Sequence, residues 1–187
     1  MLAGRAIKPP PSPFHMQWRA ADGVFDQEQQ LQGWRLSCSR SHPVGGLCFG
    51  CQGGNKSPHL AWSEAPAGTR SFAVTCFDPD APTGSGFWHW LIVNIPAGTT
   101  ELALDAGNPN APKLPAGALQ TRTDVGKPGY IGPCPPEGDH PHRYIFTIFA
   151  VSQESLAVTA DTSAAIVGFN LHFNTLAKAT LMGLFKR

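Results

Sequence analysis

The stretch of residues 77–96, FDPDAPTGSGFWHWLIVNIP, combines two carboxylates, a proline-rich turn, a glycine-rich turn and one histidine between two tryptophans. Residues 70–77, which precede it, are largely apolar and β-favouring and predict a strand that enters the motif. Pro79 and Pro82 have no amide hydrogen and cannot continue a strand ladder, so the chain must leave the sheet in a rigid turn. Residues 88–95 are then predicted to form the next strand.

Side chains in a strand alternate between its two faces, so residues two apart share a face. In the strand predicted at residues 88–95, one face carries His89, Leu91, Val93 and Ile95. The other face carries Trp88, Trp90, Ile92 and Asn94. Asp78 lies where the preceding strand ends. We therefore expect Asp78 and His89 near the same end of an apolar core.

The composition limits the class of protein. The chain has 187 residues, of which 42% are hydrophobic and 14% charged, so it can bury one ordinary core as one domain. The net charge of +1 gives no support to a nucleic-acid partner. Eighteen prolines and twenty glycines are spread along the chain and indicate many turns, which is typical of an antiparallel sheet protein.

Residues 1–13, MLAGRAIKPPPSP, contain no apolar segment of the kind found in secretory signals or membrane spans. We expect them to form a flexible proline-rich tail. Residues 14–187 are expected to form a single domain. The missing signal peptide predicts a cytoplasmic protein without a transmembrane segment.

The cysteines offer a weak metal or redox signal. Cys48 and Cys51 form a C-x-x-C pair. A zinc site of that type needs a second ligand pair, and Cys38, Cys76 and Cys134 contain no second C-x-x-C. Pairing of one cysteine with Cys134, or a set of unpaired thiols, is favoured over metal or redox chemistry. The sequence therefore predicts no metal and no cofactor.

A second polar cluster lies within residues 126–150, GKPGYIGPCPPEGDHPHRYIFTIFA. Its glycines and prolines predict a rigid loop that leads into the strongest strand pattern of the chain, residues 143–151. Alternation by twos places His142, Tyr144, Phe146 and Ile148 on one face. With Asp78 and His89, the histidine and the tyrosine would gather four polar groups at one end of the core.

Residues 161–179 form the one good helix candidate. Asp161, Thr162 or Ser163 can cap it. An apolar helical stripe is formed by Ile166, Phe169, Phe173 and Leu176. The last part, residues 178–186, is alternatively a terminal strand.

Several of these blocks resemble one known family. DPDAP followed by GFWHWLIVNIP, then GYIGPCPP and HRYIF, is similar to the phosphatidylethanolamine-binding protein family, also called the Raf kinase inhibitor protein family, and especially to its bacterial branch. The resemblance is strongest over residues 57–187. It implies a mainly β fold in which antiparallel sheets pack as a sandwich with few helices.

The resemblance also implies a small surface pocket for an anionic group. Matched by motif, the pocket would be lined by Asp78, His89, His142 and Tyr144, with Pro82, Gly132 and Pro133 at its rim. Imidazole, phenol and backbone amide groups can all donate to phosphoryl oxygens. Asp78 fits such a site if it accepts from a histidine, or it only braces the proline turn. Asp80 is expected to brace that turn.

A matching cysteine pair occurs in some bacterial relatives, so the resemblance further implies a disulfide between Cys51 and Cys134. Such a bridge would favour the periplasm as the alternative location.

The function expected from the resemblance is a binding module for phosphate or other anionic groups, such as a phospholipid headgroup or a phosphorylated ligand. A role as an inhibitor of a kinase or protease is expected by analogy alone. The alternative is a metal-dependent or histidine-based enzyme that uses Asp78, His89 and His142. We expect no enzyme. A hydrolase that uses His89 or His142 as a base is disfavoured because the sequence lacks a G-x-S-x-G motif. Exposed strand edges make a homodimer a reasonable expectation.

Overall fold

The computed structural model describes residues 17–19, 51 and 54–187 of the chain. The predicted proline-rich tail and the first two cysteines, Cys38 and Cys48, lie outside the described residues. The single domain at residues 14–187 stays a prediction for the same reason. In chain order the elements are β1 (Gln17–Arg19), β2 (Leu60–Ser63), β3 (Ser71–Asp78), β4 (Phe87–Pro96), β5 (Glu101–Leu102), β6 (Leu119–Gln120), β7 (His142–Val151), α1 (Ala164–Asn174) and β8 (Thr175–Phe185).

The strands form two antiparallel sheets. The larger sheet has the order β6-β4-β3-β7-β8, and the smaller sheet has the order β1-β2-β5. The prediction of a mainly β fold with antiparallel sheets and few helices is confirmed. The predicted strands at residues 70–77, 88–95 and 143–151 correspond to β3, β4 and β7, the three adjacent strands at the centre of the larger sheet.

The main core lies between the two sheets. Trp62 of β2 contacts Phe72 of β3 edge-on, with ring centroids 5.4 Å apart. Trp90, Phe146 and Ile148 extend the same buried cluster on the larger sheet. The indole nitrogen of Trp90 donates to Gln120 Oε1 at 2.6 Å, so this polar atom keeps a partner inside the core. Burial of these large side chains is the main contribution to folding.

The other face of the larger sheet is covered by α1. Val167 and Leu171 pack there with Leu91 and Val93 of β4. Because both of its faces are covered, β3 is buried along nearly its whole length. Within the described residues, no helix is long and apolar enough to cross a membrane.

The predicted helix at residues 161–179 is too long, since α1 ends at Asn174 and β8 begins at the next residue. The terminal strand was the better alternative, although it starts earlier than residue 178. The residues of the predicted apolar stripe are not buried. Its members are 45–69% exposed: Ile166, Phe169, Phe173 and Leu176. The buried residues of α1 are Ala164, Val167 and Leu171, and they pack in one cluster with side chains of the sheet.

The pairing of β3 with β4 has two irregularities, and the one at His89 overturns the simple alternation predicted for β4. Cys76 pairs with Trp90 and Phe77 pairs with Trp88, which leaves His89 without a partner in β3. This extra residue is a β-bulge, and it reverses the faces on either side of it. His89 therefore lies on the side of the core between the sheets, whereas Leu91 and Val93 face the helix. The prediction that His89 shares their face is wrong.

Candidate functional site

A cavity of about 460 Å³ opens where β3, β4 and β7 meet the loops at one end of the larger sheet. Its lining includes Asp78, Pro82, Phe87, His89, Ile131, Gly132, Cys134, Pro135, His142, Tyr144 and Arg187. Six of the predicted pocket residues are thus brought together. Pro133 is the exception, because it is buried and does not line the cavity.

Asp78 is the buried centre of the site. Its Oδ1 atom accepts the Asp80 amide at 2.8 Å, which braces the proline turn. Its Oδ2 atom accepts from Nδ1 of His142, also at 2.8 Å. The same oxygen lies 4.0 Å from Nε2 of His89. Asp78 therefore both braces the turn and orients His142, so the two alternatives considered for it hold together.

His142 lies between two carboxylates. Its Nδ1 atom contacts Asp78, and its Nε2 atom lies 3.2 Å from Oδ2 of Asp139. Burial opposes a charge on the ring, but the hydrogen bonds to Asp78 and Asp139 outweigh it and raise the pKa of His142. Both ring nitrogens are thus engaged within the protein. The expectation that His142 donates directly to a ligand does not fit this arrangement.

His89 has a defined tautomer. Its Nδ1 atom lies 2.8 Å from the carbonyl oxygen of Ile131, which can only accept, so Nδ1 carries the hydrogen. Burial lowers the pKa of His89 and favours the neutral ring. Its Nε2 atom then presents a lone pair on the side of the cavity and Asp78. In the neutral state His89 is an acceptor and not the expected donor.

Tyr144 forms part of the inner wall. Its ring lies edge-on to His89, with centroids 5.1 Å apart. Burial, followed by the negative charge of Asp78, raises the pKa of the phenol far above its usual value, so the hydroxyl stays protonated. A hydrogen bond with Asp78 also raises this pKa, whereas a backbone hydrogen bond from Cys134 opposes the shift. Tyr144 therefore keeps a neutral hydroxyl group in the cavity lining.

The loop that forms the opposite wall is fixed at two points. A disulfide links Cys134 to Cys51, 83 residues away in the sequence. Asn55 accepts the Gly132 amide at 2.7 Å through its side-chain oxygen and donates to the Tyr130 carbonyl at 3.2 Å. The Gly132 amide is consequently engaged by Asn55 and not directed to a ligand.

Asp80 lies outside the cavity lining and serves as a brace. Its carboxylate accepts from the Arg143 amide at 2.9 Å, from Nε at 2.8 Å and from Nη2 at 2.7 Å. These bonds hold the pKa of Asp80 well below its usual range. The fork of the guanidinium ties the turn after β3 to the first residues of β7.

Sequence reasoning missed two residues beside His142, which are Asp139 and His140, and two charged residues of the cavity lining, which are Glu137 and Arg187. Asp139 accepts from His140 and His142, and hydrogen bonds from His140 first, then His142, lower the pKa of Asp139 to about 2. Arg187 lines the cavity because β8 pairs with β7, with Phe185 opposite His142. The D-H-P-H spacing was a visible signal for the first two residues. No local signal placed Arg187.

A two-sheet antiparallel domain with a mostly apolar cavity, in which a few polar side chains converge at the strand ends, is consistent with a binding-type role. The family model described as phosphatidylethanolamine-binding protein matches residues 35–186. The chain belongs to the phosphatidylethanolamine-binding protein family.

Bacterial relatives are similar over most of the chain. The chain is 51% identical to the UPF0098 protein YbcL of Escherichia coli over 146 residues, which is 78% of this chain and 79% of YbcL. It is 54% identical to the UPF0098 protein YbhB of the same organism over 137 residues, covering 73% of this chain and 85% of YbhB. The crystal structure of YbcL, described as a member of the mammalian PEBP family, superposes with a TM-score of 0.73 over 75% of this chain and 85% of that one.

A more distant solved structure shares the fold. A phosphatidylethanolamine-binding protein homologue from Chlamydia trachomatis is 28% identical and has a TM-score of 0.62, covering 73% of this chain and 84% of that chain. Membership of this family supports a binding-type role for the protein.

Proposed function

We propose that the cavity binds a small anionic group, with phosphate and phosphoryl monoesters as the ligand class. The observation that carries the proposal is the convergence of His89, His142 and Tyr144 around the buried carboxylate of Asp78. Few polar groups in a mostly apolar cavity are the usual means by which a protein orients a small ligand.

The carboxylate of Asp78 does not oppose an anion, because its charge is already compensated. Its two oxygens accept from the Asp80 amide and from His142, whose ring is favoured in its charged form. Arg187 adds a guanidinium to the cavity lining, where its Nη1 atom lies 3.8 Å from Oε1 of Glu137, a carboxylate that also lines the cavity. Its Nε atom donates to the Pro135 carbonyl at 2.9 Å, which orients the side chain beside the loop wall.

Hydrogen bonding to the ligand would come from two neutral side chains. The Tyr144 hydroxyl can rotate to donate to a phosphoryl oxygen. Nε2 of His89 can accept the hydrogen of a monoprotonated phosphoryl group, or it can take up a proton when the anion arrives. The site therefore suits an anion that brings a proton or binds together with one.

The proposal concerns the phosphoryl chemistry that a phospholipid headgroup and a soluble phosphorylated ligand share. We propose a binding role without catalysis. Inhibition of a kinase or protease stays an expectation. The same holds for the alternative of an enzyme that uses Asp78, His89 and His142. Homodimer formation also stays a prediction, for which the exposed edge strand β8 is a candidate surface.

The test is a titration with phosphate, and separately with O-phosphoserine, followed by NMR of the histidine ring signals in the presence of a chelator. We expect the His89 signals to shift saturably. Tyr144→Phe should weaken binding by about ten- to a hundredfold, since it removes one hydrogen bond to a charged group. His172→Ala, on the exposed side of α1, should bind as the wild type does.

Absence of a saturable His89 shift at about 10 mM phosphate, tenfold above a millimolar Kd, would contradict the proposal. Equal phosphate affinity of the wild type and Tyr144→Phe would support an anion site to which Tyr144 does not contribute. Vesicles that contain phosphatidylethanolamine, compared with free O-phosphoethanolamine, distinguish the lipid source of the group from the soluble one.

A further inference from the structure

Asp139, His140 and His142 form a compact cluster beside the cavity, whose lining includes His142. Their potential ligand atoms all lie within 4.8 Å of one another. Oδ2 of Asp139 is 3.2 Å from Nε2 of His142, and Oδ1 is 2.8 Å from Nδ1 of His140. The two imidazole rings are 5.2 Å apart between centroids. In the part of the chain that the structure describes, no other trio of histidine, cysteine or acidic side chains gathers in this way.

The orientation of His142 is fixed from behind. Its Nδ1 atom donates to the buried carboxylate of Asp78, so Nε2 is the nitrogen directed at Asp139. A neutral ring with this tautomer presents a lone pair at Nε2, and a carboxylate oxygen also carries only lone pairs. Two such atoms 3.2 Å apart require a positive particle between them, which is either a proton or a metal ion.

The arrangement behind His142 is the one that metal-binding histidines use. A ligating imidazole commonly donates its second N–H to a carboxylate, which fixes the tautomer and makes the ligating nitrogen more basic. Asp78 supplies that carboxylate and is nearly fully buried. Asp78 would therefore be a positioning residue and not a ligand.

We propose that Asp139, His140 and His142 bind a divalent transition-metal ion, with zinc as the best match. Two imidazole nitrogens and one carboxylate oxygen form a donor set typical of zinc sites that keep one coordination position open. Zinc bonds of about 2.0–2.1 Å in a tetrahedron place ligand atoms roughly 3.3 Å apart. The 3.2 Å between Asp139 and His142 already matches this spacing. His140 is well exposed, so its ring can turn to complete the set.

The ion would also affect the anion site. His142 is the member of the cluster that lines the cavity, so a bound ion would lie beside the anion site. A phosphoryl oxygen could then serve as a further ligand of the ion. This part of the inference rests on the proposed function, whereas metal binding by the cluster does not.

The experiment measures zinc alone, without any anion, on the full chain purified without an affinity tag. Titration against a chromogenic chelator should reveal one equivalent of tightly bound zinc. His140→Ala and Asp139→Asn should each weaken that binding tenfold or more. Both side chains lie at the surface, so the variants are expected to fold.

His59→Ala is the matched control. His59 also pairs with a carboxylate, Oε2 of Glu101 at 3.1 Å, but this pair lies outside the cluster. The control should bind zinc as the wild type does. Failure of the wild type to bind one equivalent, or unchanged binding in both cluster variants, would overturn the inference.

Phosphate titrations with a chelator and with one equivalent of zinc separate the two proposals. Phosphate binding in the presence of the chelator, together with no zinc binding, would support the proposed function and contradict the metal site. Zinc binding together with no response to phosphate would support the metal site and contradict the anion site. Phosphate binding that strengthens with zinc in the wild type, but not in His140→Ala, supports both.

Discussion

Nδ1 of His142 lies 2.8 Å from Oδ2 of Asp78, although 64 residues separate the two in the sequence. This hydrogen bond joins the end of β3 to the start of β7. It fixes the ring of His142 and compensates the carboxylate at the base of the cavity. The remaining polar groups of the site are arranged around this pair.

The first prediction concerns the two oxygens of Asp78. Each accepts from a different donor, the Asp80 amide and His142, so Asp78→Asn leaves one of them without an acceptor. The free energy of unfolding should fall by about 1–3 kcal/mol. Urea unfolding measures it. The exposed Asp161→Asn should change it by less than about 0.5 kcal/mol. Equal free energies of unfolding for Asp78→Asn and the wild type would show that these two hydrogen bonds do not stabilise the fold.

The second prediction concerns proton uptake by His89. Burial lowers the pKa of His89 in the free protein, while Asp78 and Asp124 favour its charged form and His142 opposes it. A bound anion near Nε2 raises that pKa, so binding takes up a proton and the affinity rises as the pH falls. Sulfate is a suitable probe, because it does not titrate in this range.

Calorimetry between about pH 5 and pH 8 should show sulfate binding that weakens as the pH rises. The heat should also depend on the ionisation enthalpy of the buffer. A sulfate affinity that is the same at every pH would exclude His89 as the group that takes up the proton.

The third prediction concerns acid sensitivity through Asp80. Hydrogen bonds from Arg143 hold the pKa of Asp80 below its unfolded value. Its contribution to stability is therefore present above the unfolded pKa of about 4 and is lost as the pH falls through the folded pKa. Asp80→Asn should lower the urea midpoint at neutral pH, and the difference from wild type should shrink in acid. A difference that stays constant with pH would assign the effect to packing.

The fourth prediction concerns the disulfide. The Cys51–Cys134 bridge closes a loop of 83 residues, so its loss should destabilise the protein by about 2–4 kcal/mol. Phosphate binding should weaken as well, because Cys134 lines the cavity. Unfolding with and without reductant measures the first effect. A variant with both cysteines replaced by alanine is the control, since reductant should not change it. Two free thiols in mass spectra of protein kept under oxidising conditions would contradict the bridge.

Much of the site could be predicted because its residues lie at strand ends, and the alternation that marks a strand is visible in the local sequence. The prolines in the turn predicted where β3 ends. The alternation of side chains within β7 predicted that His142 and Tyr144 share a face. Alternation failed in β4, because the bulge at His89 depends on how β4 pairs with β3 and has no local signal. His89 nevertheless reached the cavity, since the bulge turned it to the side of Tyr144.

The helix shows the same limit of local reasoning. Phe169 and Phe173, the largest side chains of the apolar stripe, are exposed. The face with Ala164 and Val167 packs against the sheet instead. Periodicity reports that a helix has an apolar face, but the shape of its partner decides which face is used.

The sequence by itself determined the three central strands, the rigid turn after β3 and the identity of the polar residues at the strand ends. These follow from side-chain periodicity and from the fixed backbone angle of proline, which act within a few residues. Only the tertiary structure decided which atoms meet. The Asp78–His142 pair, the Asn55 contact with Gly132 and the position of Arg187 all join distant parts of the chain. A hydrogen bond needs atoms within about 3 Å, and that proximity is set by strand pairing and not by neighbouring residues.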